Sequence, residues 1–185
     1  DREAASSYNI TVRATSTDAS TTTQDFSIAI GDVDEFDVGA VSDGNAVANT
    51  VAEDATVGTA VGITATASDA DATNNAITYT LDDDAGGLFT IHATTGVVTV
   101  NGTLDYETAT SHSITARATS SDGSSSIQAF TINVTDVNES GVTAISDSDS
   151  SANFVLENVS VGTVVGVTAF ADDADGTDTV SYSLD

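Results

Sequence analysis

The chain repeats itself with a period of 104 residues, and that period constrains its fold more than any other feature of the sequence. Asp1-Arg2-Glu3 returns as Asp105-Tyr106-Glu107, and Asp32-Val33-Asp34-Glu35 as Asp136-Val137-Asn138-Glu139. Val51-Ala52-Glu53-Asp54 returns as Val155-Leu156-Glu157-Asn158, and Asp69-Ala70-Asp71 as Asp173-Ala174-Asp175. The register then slips by one residue, so that Tyr79 and Leu81 match Tyr182 and Leu184, as a deletion in a loop produces. Agreement in four separated blocks means tandem domains rather than one large fold. Residues 1–35 are expected to be the end of one repeat, 36–139 a whole repeat and 140–185 the start of the next. Neither partial piece holds a counterpart of Asp83 through Leu104. A window from a longer array is therefore expected, with strand edges that invite aggregation unless neighbouring chain covers them.

Within the whole repeat the hydrophobic period is two. Val61 to Ala67, Ala76 to Leu81 and His112 to Ala118 alternate, and Phe130, Ile132 and Val134 form one face of a last strand. Val97-Val98-Thr99-Val100 runs into Asn101-Gly102, which reads as a tight hairpin turn. Phe89-Thr90-Ile91 and Val47 through Val51 add two short strands. About seven strands separated by Gly, Asp, Asn and Ser predict an all-β fold, a tandem Greek-key β-sandwich. No segment carries a sustained helical apolar period, so helix is not expected.

Charge decides the partners. The chain has 29 acidic and 3 basic residues, a formal charge of −26. Such a surface repels phosphate, so neither nucleic acid nor an anionic membrane surface is an expected partner. No apolar run is long enough to span a bilayer, and membrane insertion is not expected. Cys is absent, which excludes disulfides, thiolate metal sites and a cysteine nucleophile. Aromatic residues are only 5%, so the core must be built from Val, Ile, Ala and Leu. A small sandwich with such a core invites an extra stabiliser, and without cysteine a metal ion is the natural candidate.

The repeated blocks are also the acidic blocks, and each sits where a strand ends. Spacings of the D-x-D and D-x-E kind put two carboxylates on one side of extended backbone. Several such pairs converging on a linker make an oxygen-only cage. That donor set suits Ca²⁺, and the absence of Cys or a His pair argues against zinc or copper. The ordinary alternative is a solvated acidic loop. Recurrence at equivalent junction positions favours ligands, whereas Asp43-Gly44 reads as a turn. His92 and His112 are isolated and read as surface positions in or beside strands, and Gly86-Gly87 is a loop outside any phosphate-binding fingerprint. Close carboxylate pairs also occur in glycosidases, but those need a cleft with aromatic sugar platforms, and Trp is absent here. An enzyme is not expected.

These motifs resemble tandem cadherin-type repeats, of the bacterial variety found in giant surface adhesins. The L-D-R-E motif is matched by Asp1-Arg2-Glu3 and Leu104-Asp105-Tyr106-Glu107. The D-x-N-D-N linker is matched by Asp136 through Ser140 and, more loosely, Asp32 through Phe36; the D-A-D motif is matched by Asp69 to Asp71 and Asp173 to Asp175. Glu53 and Glu157 stand at the glutamate of the P-E-N motif, without its proline.

The resemblance implies a calcium cluster at each junction. The first would use Asp1, Glu3, Asp32, Asp34, Glu35, Asp69 and Asp71, with the carbonyls of Val33 and Phe36. The second would use Glu53, Asp105, Glu107, Asp136, Asn138, Glu139, Asp173 and Asp175, with the carbonyls of Val137 and Ser140. The family's A-x-D loop reads Ala118-Thr119-Ser120 here, and Asp122 is the candidate substitute for its aspartate.

The implied function is a calcium-rigidified extender in a secreted bacterial surface protein, an adhesin or filament of the kind that builds biofilm. Neighbouring repeats are the expected partners, with lateral self-association into a fibre as a further possibility. The alternative is a carbohydrate-binding or homophilic adhesive module, for which an exposed aromatic strip using Tyr106 is the feature to seek, with a cell-surface glycan as partner.

Overall fold

The computed structural model describes residues 1–71 and 73–185. It is all-β, with no helix among the described residues. Two strands, β1 (Ser7–Thr15) and β2 (Thr21–Ala29), pair as an antiparallel hairpin from Ser7↔Ala29 to Thr15↔Thr21. The central unit contains β3 (Ser42–Asp43), β4 (Thr50–Ala52), β5 (Ala60–Thr66), β6 (Ile77–Asp83), β7 (Phe89–Ile91), β8 (Val97–Val100), β9 (Ser111–Ser120) and β10 (Ser125–Thr135). β11 (Ser146–Asp147) and β12 (Ala169–Phe170) form a short antiparallel pair in the last segment.

The central unit is a sandwich of two four-stranded sheets, ordered β4-β10-β9-β6 and β3-β5-β8-β7. Of the strand expected over Val47 to Val51, only Thr50 and Val51 are strand, within β4, and β3 lies before it in the other sheet. β3 pairs with β5 in one sheet, and after a crossing segment β4 runs parallel to β10 in the other. Alternation places the core as anticipated. Val61, Ile63 and Ala65 of β5, Ile114, Ala116 and Ala118 of β9, and Ile132 and Val134 of β10 are buried. Val61, Ile63, Ile114, Ile132 and Val134 meet Phe89, Val98 and Val100 between the sheets, while Ala65, Ala116 and Ala118 pack with Tyr79 in a second cluster; burying each Val, Ile or Phe contributes about 1.5–3 kcal/mol.

Asn101-Gly102 is not a hairpin turn. β8 pairs with the strand before it, β7, and the chain after Asn101 crosses to the opposite sheet. The physical reason is the backbone: the left-handed residue a tight turn needs is Gly96, at φ +70°, between β7 and β8. Asn101 and Gly102 instead donate their N–H groups to the carbonyl of Leu88. His92 belongs to the same hairpin, its Nδ1 accepting from Thr94 and Thr95 N–H. His112 is half-buried rather than a surface position, with its ring edge on Phe89.

Equal sequence patterns meet different surroundings. Ile10 and Ile28 are the repeat counterparts of Ile114 and Ile132, yet they are 45% and 47% exposed where the latter are 0%. The second sheet covers β9 and β10, and no such sheet lies over β1 and β2 among the described residues.

Candidate metal centres

The two ends of the sandwich gather the acidic motifs. At one end lie the segment after β2, the loop between β5 and β6, and the turn between β9 and β10. At the other lie the residues after β4, the loop between β8 and β9, and the segment after β10. A strand ends where its apolar alternation stops, so each acidic motif is delivered to a rim of the sandwich.

At the first rim Asp71 is 2% exposed and organises the linker. Its Oδ1 accepts from Glu35 N–H and its Oδ2 from Phe36 N–H, both at 3.2 Å. Asp69 accepts from the Asp71 N–H at 3.1 Å and from the Ser120 hydroxyl. That hydroxyl, together with the nearby amide, holds the Asp69 carboxyl below the usual carboxylate range. Asp32 Oδ2 accepts from Thr73 Oγ1. Carboxylate oxygens of Glu3, Glu35 and Asp71 lie within 4.8 Å of one another, as do those of Asp34, Asp71 and Asp122. Asp34 is pushed up, chiefly by sharing a hydrogen bond with Asp71, then by burial and by the charges of Asp122, Asp71 and Asp69. Asp1 caps its own turn, accepting from Glu3 and Ala4 N–H, and lines the cleft shared by Glu3, Glu35 and Phe36.

The second rim repeats this arrangement. Asp175, 4% exposed, accepts from Glu139 N–H at 3.1 Å and Ser140 N–H at 3.0 Å. Asp173 accepts from Asp175 N–H, and Asp136 Oδ2 accepts from Thr177 Oγ1. Glu53, also 4% exposed, spans two segments: Oε2 accepts from Tyr106 N–H at 2.6 Å and Oε1 from Val137 N–H at 2.8 Å. Asp105 accepts twice from Thr108, which holds it below its ordinary value. Glu107 Oε1 accepts from Gly176 N–H at 2.6 Å. Glu53, Asp105 and Glu107 form a third close group. Glu139 is pushed up by burial first and then by the charges of Glu53, Glu107, Asp175 and Asp105.

One acid in these groups has no place in the sequence reading. Asp178 joins Asp173 and Asp175 within 4.8 Å and accepts from Asn138 Nδ2 at 2.7 Å. Its repeat counterpart is Asn74, so period matching alone passes over it. Asp122 does reach the first cluster, braced by Ser124, whose N–H and hydroxyl both donate to it. Asp43 is a turn residue as expected, accepting from Asn45 and Thr64 N–H to pin β3 against β5.

The chemistry of the donors fits a hard cation. Every candidate side-chain ligand offers oxygen, and Asp32 Oδ1 and Asp136 Oδ1 are buried with no hydrogen-bond partner among the described residues. Those two atoms are repeat counterparts, one at each rim. A buried carboxylate oxygen left without a partner is costly, and a divalent cation satisfies it.

Comparison with known proteins bears on the fold. Residues 48–135 match the cadherin domain. The matched cadherin segment contains Glu53, Asp69, Asp71, Asp105, Glu107 and Asp122, and it is flanked by the two acidic linkers. Mouse Protocadherin Fat 4 is 31% identical over 136 residues, 72% of this chain and 3% of that protein. Mouse Cadherin-20 is 33% identical over 129 residues, 68% of this chain and 16% of that protein. The chain thus spans a small part of the cadherin relatives it matches. Among solved structures, mouse Cadherin-23 EC22-24 superposes with a TM-score of 0.68 at 30% identity, covering 95% of this chain and 56% of that one. The Protocadherin GammaB4 extracellular domain gives 0.75 at 22% identity, covering 95% and 27%. The all-β Greek-key sandwich expected from the sequence is the cadherin fold.

Proposed function

We propose that the chain is an extracellular adhesion or extender segment whose repeats are held in line by Ca²⁺ at their junctions. The observation that carries this is the pair of buried oxygens on Asp32 and Asp136, one at each rim, that have no hydrogen-bond partner among the described residues. In this reading the repeats are 1–35, 36–139 and 140–185, and the ligands are those named above, with Asp122 completing the first set. Bound calcium would supply the positive charge that lets these carboxylates stand close together. The chain's own contribution is orientation. Thr73 and Thr177 aim Asp32 and Asp136, Asp71 and Asp175 tie the linker amides to the following repeat, and Glu53 ties the linker to the preceding one.

Neighbouring repeats are the first partners, and lateral association of copies into a fibre is the further possibility. Cadherin domains are adhesion modules rather than enzymes, which supports a non-enzymatic role. The setting in a large bacterial surface protein belongs to this proposal and rests on the sequence resemblance. Glycan capture through an aromatic strip has less support. Tyr79 is 7% exposed with its hydroxyl accepting from Ala67 N–H, and Tyr106 packs against the core.

The test is calorimetric titration with Ca²⁺ alongside small-angle scattering. Binding with lengthening and stiffening is expected. No heat of binding, or no change in shape, would overturn the reading.

A further inference from the structure

We propose that the two junctions are unequal joints, the second partly latched by Asn138 and Asp178 before any cation binds and the first open until one does. The inference rests on the calcium-junction reading and adds to it an order of events. Positions 34 and 138 are repeat counterparts, and so are 74 and 178. Between the two junctions the residue types have changed places: Asp34 with Asn74 in the first, Asn138 with Asp178 in the second.

The exchange alters what the linker presents. At the second junction the linker offers an amide, and Asn138 Nδ2 donates to Asp178 Oδ2 at 2.7 Å across the joint. At the first it offers a carboxylate, whose oxygen lies within 4.8 Å of oxygens on Asp71 and Asp122. No hydrogen bond joins Asp34 to Asn74 among the described residues. Both joints gather carboxylates, but the linker residue donates a hydrogen bond to one of them at the second and adds a further carboxylate at the first.

The remaining contacts that are described at both joints cancel. Glu35 and Phe36 reach Asp71 as Glu139 and Ser140 reach Asp175. Thr73 reaches Asp32 as Thr177 reaches Asp136. Arg2, which stands where the second junction has Tyr106, donates to the carbonyls of Ser6 and Ile30 within its own repeat. It does not bridge the joint. An exposed hydrogen bond of this kind shifts the odds of the ordered arrangement roughly two- to fivefold. Repulsion among close carboxylates moves the other joint in the opposite direction.

The absence of cysteine makes the test clean, because spin labels can be placed at introduced cysteines alone. Label pairs at Thr23 and Thr90 span the first joint, and pairs at Thr90 and Ser151 span the second; all three positions are exposed. Electron–electron distance distributions are recorded on the 185-residue chain in chelator and in saturating calcium. In chelator, the odds of the ordered distance are expected to be roughly two- to fivefold higher across the second joint. Asp178→Ala should lower them there, although it removes a negative charge and so relieves repulsion. Asp34→Asn combined with Asn74→Asp should raise them at the first joint, a gain of order that a misfolded variant cannot mimic. Equal distributions in chelator, or no broadening with Asp178→Ala, would overturn the inference. If calcium sharpens neither distribution, the junction reading itself fails while the chelator comparison still decides this one.

Discussion

Glu53 shows how much one buried carboxylate can organise. It sits at 4% exposure and receives amides from Tyr106 and Val137, which lie 31 residues apart in sequence. Glu53→Ala leaves both N–H groups without their partner. The expected loss is about 2–3 kcal/mol of stability in chelator, because each buried donor left unsatisfied costs roughly 1–3 kcal/mol. Chemical denaturation checks this, and a loss near zero would mean that water replaces the carboxylate freely. Asp122 gives the complementary prediction. Asp122→Asn should weaken calcium binding at the first junction by about tenfold or more, since even groups that only brace a metal ligand are worth roughly 10–100-fold. Calorimetry should show the second junction unchanged. At this scale the sequence was legible where a residue recurs, as with Asp71 and Asp175. It was illegible at Asp178, whose counterpart is an amide. The hydroxyls of Ser120, Thr73 and Thr177 were equally hidden, because serine and threonine are too common in this chain for any one to stand out.

At the scale of elements, alternation located the strands of the sandwich because burial of one face writes a period of two into the sequence. It could not locate the split between β3 and β4, where each piece is too short to show a period. Nor could the Asn101-Gly102 pair reveal that its strand pairs backwards, since that depends on φ and on which sheet comes next. β5 carries a further feature that only coordinates expose. Gly62 adopts φ +86°, and a Cβ there would stand 2.2 Å from the Ala48 carbonyl oxygen. Gly166, its repeat counterpart, makes the same approach to Ala152 at 2.4 Å. The pairing of β5 with β8 shifts register between Ala60 and Thr64, across this glycine. Gly62→Ala should therefore cost about 3 kcal/mol or more, from left-handed strain together with a backbone clash. Gly58→Ala is the control. Its φ is +95° with nothing within 4 Å, so strain alone should cost roughly 1 kcal/mol. Thermal melts of the two variants should differ in that order, and equal losses would rule out the close approach as the cause.

The same scale holds a salt bridge. Arg117 on β9 faces Asp82 on β6 and holds that carboxyl below the usual carboxylate range. Its folded pKa lies below its unfolded one, so its contribution is present above the unfolded pKa and is lost as pH falls through the folded value. Arg117→Gln should thus destabilise the chain slightly at neutral pH, and the gap should close in acid. Denaturation midpoints followed across that range would show it. A gap independent of pH would assign the effect to packing instead.

For the whole molecule, acid should act at the junctions with the opposite sign. Asp34 and Glu139 are pushed up, so the folded chain holds their protons at a pH where the unfolded chain has released them. Stability attributable to them therefore falls as pH rises through that window and is greatest below it. With a formal charge of −26, the chain in chelator carries this repulsion at neutral pH. Two remedies are physically distinct. Monovalent salt screens exposed charges beyond a Debye length, about 10 Å at 0.1 M, and does little for carboxylates packed within a few ångströms. A divalent cation seated among them instead binds the folded arrangement and stabilises it by mass action. At a concentration a hundredfold above its dissociation constant, one site contributes about 2.7 kcal/mol. A domain of this size gains roughly 4–8 °C of Tm per kcal/mol. Calcium should accordingly raise Tm by about 10 °C or more over sodium chloride of equal ionic strength. Equal shifts from the two salts would mean that the clusters respond to screening alone and that the acidic rims hold no specific ion.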